Sequence, residues 1–167
     1  MNVKDYASKF EYNHWANRRL MEVVLQLPDE EFTKVVAGTY GSIRNTMVHI
    51  LNAEWVWLEH CGGTPRGPKL EDSEFPTATS LQLRWKLLES HVGDFLASLR
   101  NEDLNKVIEF RLGSGPLMNL PCGEILQHAL IHSAHHRGQI SVLLRALGKA
   151  PGNFDFLFYA LEQQSIK

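Results

Sequence analysis

Gly123-Glu-Ile-Leu-Gln-His128-Ala-Leu-Ile-His132-Ser-Ala-His135-His136-Arg137-Gly138-Gln139-Ile140-Ser-Val-Leu-Leu-Arg-Ala-Leu147-Gly148 is the stretch around which the rest of this 167-residue chain is organised. Ile125, Leu126, Leu130, Ile140, Leu143, Leu144 and Leu147 recur at helical spacing, and Gly148 sits where a helix C-cap belongs, with Pro151 just beyond. Four of the eight histidines fall here, so this helix is where the chemistry concentrates. His128, His132 and His136 are four residues apart. Each such step advances only about 40° around a helix, so the three imidazoles share one face. Neutral imidazoles buried beside Ala, Leu and Ile would need hydrogen-bond partners that the local sequence does not supply. A metal gripped by an i, i+4 pair satisfies them. Packed core histidines and a solvent-facing stripe are the alternatives. Two ligands do not make a catalytic centre, so a third must come from another part of the chain.

Composition bounds the rest. The length suits one domain over 1–167, and a hydrophobic fraction of 44% is enough for a core without staples. A net charge of −2 and a pI near 6.4 give no nucleic-acid footprint. Cys61 and Cys122 are too few for a disulfide scaffold and lack metal-site spacing, which fits a reducing cytoplasm. The start Met1-Asn-Val-Lys-Asp-Tyr6 has no signal-peptide core, and no apolar run approaches the ~20 residues of a membrane span. A soluble cytoplasmic protein with neither nucleic acid nor membrane as partner is the expectation.

Along the chain, periodicity predicts a first helix from Val3 to Leu27 through Tyr6, Phe10, Asn13, Ala16, Asn17, Leu20, Val23 and Val24. Trp15 reads as core and His14 as exposed, while Tyr12 and Asn13 can offer hydrogen bonds to an inward site. Pro28-Asp29-Glu30 opens an acidic connector, which runs on through Phe32 to Tyr40. Ser42 is placed to cap a second helix reaching His60, with Ile43, Met47, Ile50, Leu51, Glu54, Trp57 and Leu58 inward. His49 lies mid-helix. A lone histidine there is ordinarily core, but it gains weight once a His pair elsewhere needs a third ligand. Glu54 is either a solvated charge or a carboxylate serving the site. Cys61 to Pro76 is a long loop carrying Thr64-Pro65-Arg66. Thr79 or Ser80 caps a third helix to Leu99, with an apolar stripe through Leu81, Leu83, Leu87, Leu88, Val92, Phe95 and Leu96, and His91 peripheral. Alternation over Lys106–Leu112, a turn at Gly113-Ser114-Gly115 and a return over Pro116–Leu120 predict a β-hairpin before the fourth helix, with Pro121 in its first turn. Cys122 reads as structural. The aromatic tail Gly152 to Glu162 suits a short last helix, with Phe154, Phe158 and Leu161 packing on the bundle or on a second subunit.

Taken together these residues resemble the DinB-like family, the damage-inducible metal-binding bundles related to YfiT-type proteins. The resemblance rests on Tyr12-Asn13-His14-Trp15-Ala16-Asn17, on Gly41-Ser42-Ile43-Arg44-Asn45-Thr46-Met47-Val48-His49-Ile50, on the hairpin, and above all on His128 to Ile140 with Leu144-Arg145-Ala146-Leu147-Gly148. It implies a mainly α fold: an up-down-down-up four-helix bundle with a short β-hairpin between helices three and four and a short C-terminal helix. It implies a divalent metal, zinc or nickel, held by His49, His132 and His136. His128 would line the pocket or tune a ligand, and His135 points elsewhere.

Three imidazoles leave coordination positions open, the arrangement of a catalytic rather than a structural site. Water brought to a pKa of about 7, or a bound thiol, then becomes a nucleophile. Relatives implied by the resemblance include low-molecular-weight thiol S-transferases, so a thiol-dependent S-transferase on a small-molecule substrate is one expectation and a hydrolase another. The alternative is a non-enzymatic, stress-induced metal-binding or interaction protein. His128, Glu54 and Tyr12 are the candidates for moving protons. The family commonly forms homodimers.

Overall fold

The computed structural model describes residues 1–63 and 67–165; Thr64-Pro65-Arg66 of the long loop lies outside the described residues. Four long helices form the bundle: α1 (Val3–Val24), α3 (Ile43–Gly62), α4 (Ala78–Ser98) and α5 (Cys122–Ala146). A one-turn helix, α2 (Asp29–Thr33), follows α1, and α6 (Phe156–Ser165) closes the chain. Between α4 and α5 stand two antiparallel strands, β1 (Val107–Arg111) and β2 (Leu117–Pro121), with Ile108 opposite Leu120 and Phe110 opposite Met118.

The directions of the helices follow from which residues meet. Tyr6 reaches Gly123 and Asn17 reaches Arg137, so α1 and α5 run parallel. Trp57 packs on His128 and His49 on His132, so α3 runs against α5. The amide of Val3 binds Asn101, just past α4, while Arg18 meets Glu89, so α4 runs against α1. The result is up-down-down-up. Its parallel pair, α3 and α4, requires a long crossover, which is the physical reason for the extended loop after Gly63. Each of α1 and α3 packs on both α4 and α5.

Local chemistry fixes the ends. Asn2, Ser42 and Thr77 cap α1, α3 and α4, each with a reciprocal bond from the residue three positions on. The cap of α4 is therefore Thr77 rather than Thr79 or Ser80; Ser80 is the capping-box partner. The end of α5 is a Schellman turn, with Lys149 N–H on the Leu144 carbonyl and Gly148 at φ +71°.

Four expectations are corrected. Asp29-Glu-Glu-Phe-Thr33 is helical, anchored by a fully buried Phe32, where an irregular connector was expected. On α4 the core line is Leu81, Trp85, Leu88, Val92 and Leu96, whereas Leu83 and Leu87 are about 60% exposed. Two positions along a helix is about 200° of rotation, so Leu83 faces away from Leu81 and Trp85 alike. His14 is buried, one turn after Phe10, whose ring lies 6.1 Å away. On α6 the buried residue is Tyr159, packed on Trp15 and Tyr12, and Phe158 and Leu161 stay exposed. Phe154 does pack against the core. Trp15 is half-buried at this contact, its indole N–H donating to Glu162.

Candidate metal centre

The antiparallel seam of α3 and α5 brings His49 beside the His132–His136 pair. Their inward atoms are all Nε2: His49 to His132 is 3.1 Å and His136 to His132 is 3.2 Å. The candidate ligand atoms of all three lie within 4.8 Å of one another, close enough to hold one metal ion. Neighbouring nitrogens on a tetrahedral zinc stand about 3.3 Å apart, since each bond is about 2.0–2.1 Å.

The opposite nitrogens are held from outside. His136 Nδ1 donates to Gln139 Oε1 at 2.7 Å, one turn along α5, and this fixes the tautomer whose Nε2 carries a lone pair. His49 Nδ1 is 2.7 Å from the Tyr40 hydroxyl, and the Tyr40 ring lies 4.3 Å from the His49 ring. His132 Nδ1 is buried with no hydrogen-bond partner among the described residues. Nε2 lone pairs converging at such distances repel unless a cation or proton lies between them. The donor set therefore fits a metal.

Electrostatics agree. Burial, then the neighbouring His136 and Lys69, push His49 down to about 4. Burial, then His136 and His49, push His132 down to about 4. Burial lowers His136 as well, partly opposed by its bond to Gln139. All three imidazoles are neutral at pH 7, the form that ligates.

Tyr40 is delivered by the turn before α3. Val36 and Gly41 pair across that turn, with Thr39 Oγ1 donating to the Val36 carbonyl. Gly41 has φ +117°, and a Cβ there would lie 2.9 Å from Asn45 Oδ1, the atom that accepts from the Ser42 amide. Only glycine suits this place.

The centre opens into a cavity of about 510 Å³. Its walls include His49, His132, His128, Trp57, Lys69 and Arg111, the last from the hairpin. His128 thus stands in the cavity, 5.5 Å from the His132 ring and edge-on to Trp57 at 5.0 Å. The other two proton-handling candidates lie elsewhere. Tyr12 donates to the Phe154 carbonyl and lines a separate cavity with Lys9 and Phe156. Glu54 is fully buried, not a solvated helix charge: its Oε1 accepts from Asn13 and Asn17 and, at 2.6 Å, from Ser133. Arg137, 2% exposed, donates to the side-chain Oδ1 atoms of Asn13 and Asn17. This polar knot ties α1, α3 and α5 together directly behind the histidine pair. His135 is exposed and touches Gln139.

Tyr40, Gln139, Ser133 and Arg137 were not singled out by the sequence. Gln139 had a readable signal, since it lies three residues after His136 on the same helix. Tyr40 had none, because its contact depends on a turn.

The DinB family model matches residues 1–165. Protein DinB of Bacillus subtilis (strain 168) is 28% identical over 99% of both chains. YizA of the same bacterium, uncharacterised, is 25% identical over 89% of this chain and 91% of its own length. A crystal structure of a DinB-like protein from Bacillus cereus superposes with a TM-score of 0.74 at 21% identity, covering 91% of this chain and 97% of that one. A match over nearly the whole length, joined to the same bundle in solved relatives, settles the family: this chain belongs to the DinB family.

Proposed function

We propose that this protein is a divalent-metal-dependent enzyme of the cytoplasm, in which His49, His132 and His136 hold zinc or nickel and the adjoining cavity takes a small-molecule substrate for thiol-dependent S-transfer or hydrolysis. The observation that carries this reading is the convergence of three Nε2 atoms beside a 510 Å³ cavity whose wall includes two of the three rings, His49 and His132. A structural metal would be sealed by a fourth protein ligand, and among the described residues the cluster has three. When bound, the ion supplies Lewis acidity, lowering the pKa of a thiol or a water toward neutrality.

The chain's own groups divide the remaining work. Gln139 and Tyr40 orient two of the imidazoles. The His128 ring faces the same space and is the group placed to accept or return a proton there. Trp57 and Val56 give an apolar wall that excludes water from the substrate. Lys69 and Arg111 stand at the cavity without a carboxylate among its lining residues, which favours a substrate bearing an acidic group.

The experiment is elemental analysis of untagged protein beside the His132→Ala, His136→Ala double variant, then turnover assays of metal-loaded protein with thiols plus electrophiles and with ester or amide substrates. About one metal per chain, lost in the variant, with turnover lost in His128→Gln while metal is retained, is the expected result. Metal without any turnover would leave a metal-binding protein that is not an enzyme. No metal after loading with zinc or nickel would overturn the reading. A homodimer belongs to the same proposal: Phe156, Leu157 and Leu161 form an exposed apolar face on α6 that a second copy would cover. Sedimentation of the wild type beside Leu157→Glu, Leu161→Glu tests it, a monomeric wild type being the contrary outcome.

A further inference from the structure

The same α3–α5 seam that carries the histidines brings the chain's two cysteines together near its other end. Cys61 is the next-to-last residue of α3, and Cys122 is the first residue of α5. The Cys61 thiol points at Cys122, with Sγ 3.7 Å from the Cys122 carbonyl oxygen. Cys122 is 1% exposed, whereas Cys61 is only partly covered. The Cys61 hydrogen bond lowers the Cys122 thiol, and the same contact together with burial raises Cys61. Most buried cysteines are small core hydrophobes. This pair differs in having one partly covered sulfur, where a reagent enters first, beside a sheltered sulfur at a helix N-terminus whose lowered thiol is the better nucleophile for the resolving step.

We propose that Cys61 and Cys122 are a reactive thiol pair that closes into a disulfide in the folded protein, stapling the end of α3 to the start of α5. The oxidant is a low-molecular-weight disulfide. Cys61 attacks one of its sulfurs, giving up its proton as the S–H bond breaks. A mixed disulfide forms on Cys61 and one thiolate leaves. Cys122 then loses its proton and attacks the Cys61 sulfur, expelling the second thiolate. Two protons and two electrons have left the protein, and the reagent has become two thiols. The bond forms about 15 Å along α5 from His132, at 1.5 Å per residue. It therefore constrains the seam without replacing a ligand, and it stands or falls independently of the metal reading. A disulfide of this kind in a reducing compartment is transient and reports oxidation.

The test uses the native full chain, incubated with oxidised glutathione, alkylated with iodoacetamide and mapped by mass spectrometry. The expected product has lost two hydrogens, resists alkylation, and yields a linked peptide joining Cys61 to Cys122. Its thermal midpoint rises by roughly 5–10 °C, as a cross-link closing a long loop should give. Cys122→Ser stops at one glutathione adduct on Cys61. Cys61→Ser reacts only after denaturation. A wild type that accumulates the adduct on Cys61, or stays unreacted while the denatured chain oxidises, overturns the proposal.

Discussion

His132 and His136 show how far a single residue can be read from its neighbours. Their spacing alone puts two imidazoles on one helical face, and nothing about the fold is needed to see it. His49 needed more: only the demand for a third ligand, and the family resemblance, drew it out of an apolar run. Tyr40 and Gln139 are the residues whose roles emerge from contact. Each holds the outer nitrogen of an imidazole, and such partners typically matter 10–100-fold for metal affinity. Tyr40→Phe and Gln139→Leu should each weaken zinc or nickel binding by about tenfold, measured by chelator competition, while stoichiometry at saturating metal stays at one. Unchanged affinity in both would mean that the two contacts do not orient the ligands. Sequence leaves Glu54 open between a solvated charge and an inward carboxylate, because helical charges are ordinarily solvated. Its burial depends on Asn13, Asn17, Ser133 and Arg137 arriving from two other helices. Arg137→Met removes the cation and leaves the Glu54 carboxylate enclosed, at a cost of about 3–5 kcal/mol in urea unfolding. Combining it with Glu54→Leu should recover much of that loss, and a pair of additive losses would argue against coupling.

Caps and periods made the long helices legible, and register limited the reading. The capping residues of α1 and α3 and the Gly148 terminator are local chemistry, visible in a window of a few residues. The stripe of α4 was less secure because Leu83 and Leu87 are leucines on the solvent side, and hydrophobicity does not mark which face a leucine takes. Trp85, which does face inward, is flanked by Arg84 and Lys86 and so is masked in sequence. The element that links fold to site is the turn before α3. Gly41→Ala would place a methyl against Asn45 and force φ +117° on an L-residue. The capping box of α3 should suffer, lowering stability by about 1–2 kcal/mol. Tyr40 should move with it, so metal affinity falls as well. Ser42→Ala removes the cap while leaving the backbone of the turn unstrained, and should lower stability by about 1 kcal/mol with a smaller change in affinity. Equal effects of the two variants on affinity would show that the turn does not position Tyr40.

The bundle as a whole holds three neutral imidazoles in one place, and that has a consequence for its behaviour with pH. An imidazole in the unfolded chain takes up its proton near 6.5. In the folded chain His49 and His132 do so only near 4, and His136 is lowered too. Across the window from about 6.5 down to about 4 the unfolded state therefore binds more protons than the native state, and metal-free stability falls as the pH falls. Below about 4 both states are protonated and the dependence flattens for these groups. A bound metal stabilises the native state by mass action and competes with the same protons. The melting midpoint of metal-free protein should thus drop steadily between pH 6.5 and 4. The loaded protein should stay well above it at pH 7, and the gap should close as the pH approaches 4. The His132→Ala variant supplies the contrast: its midpoint should fall less steeply through the same window and respond weakly to metal at any pH. Identical slopes in wild type and variant would place the acid sensitivity outside the histidine cluster.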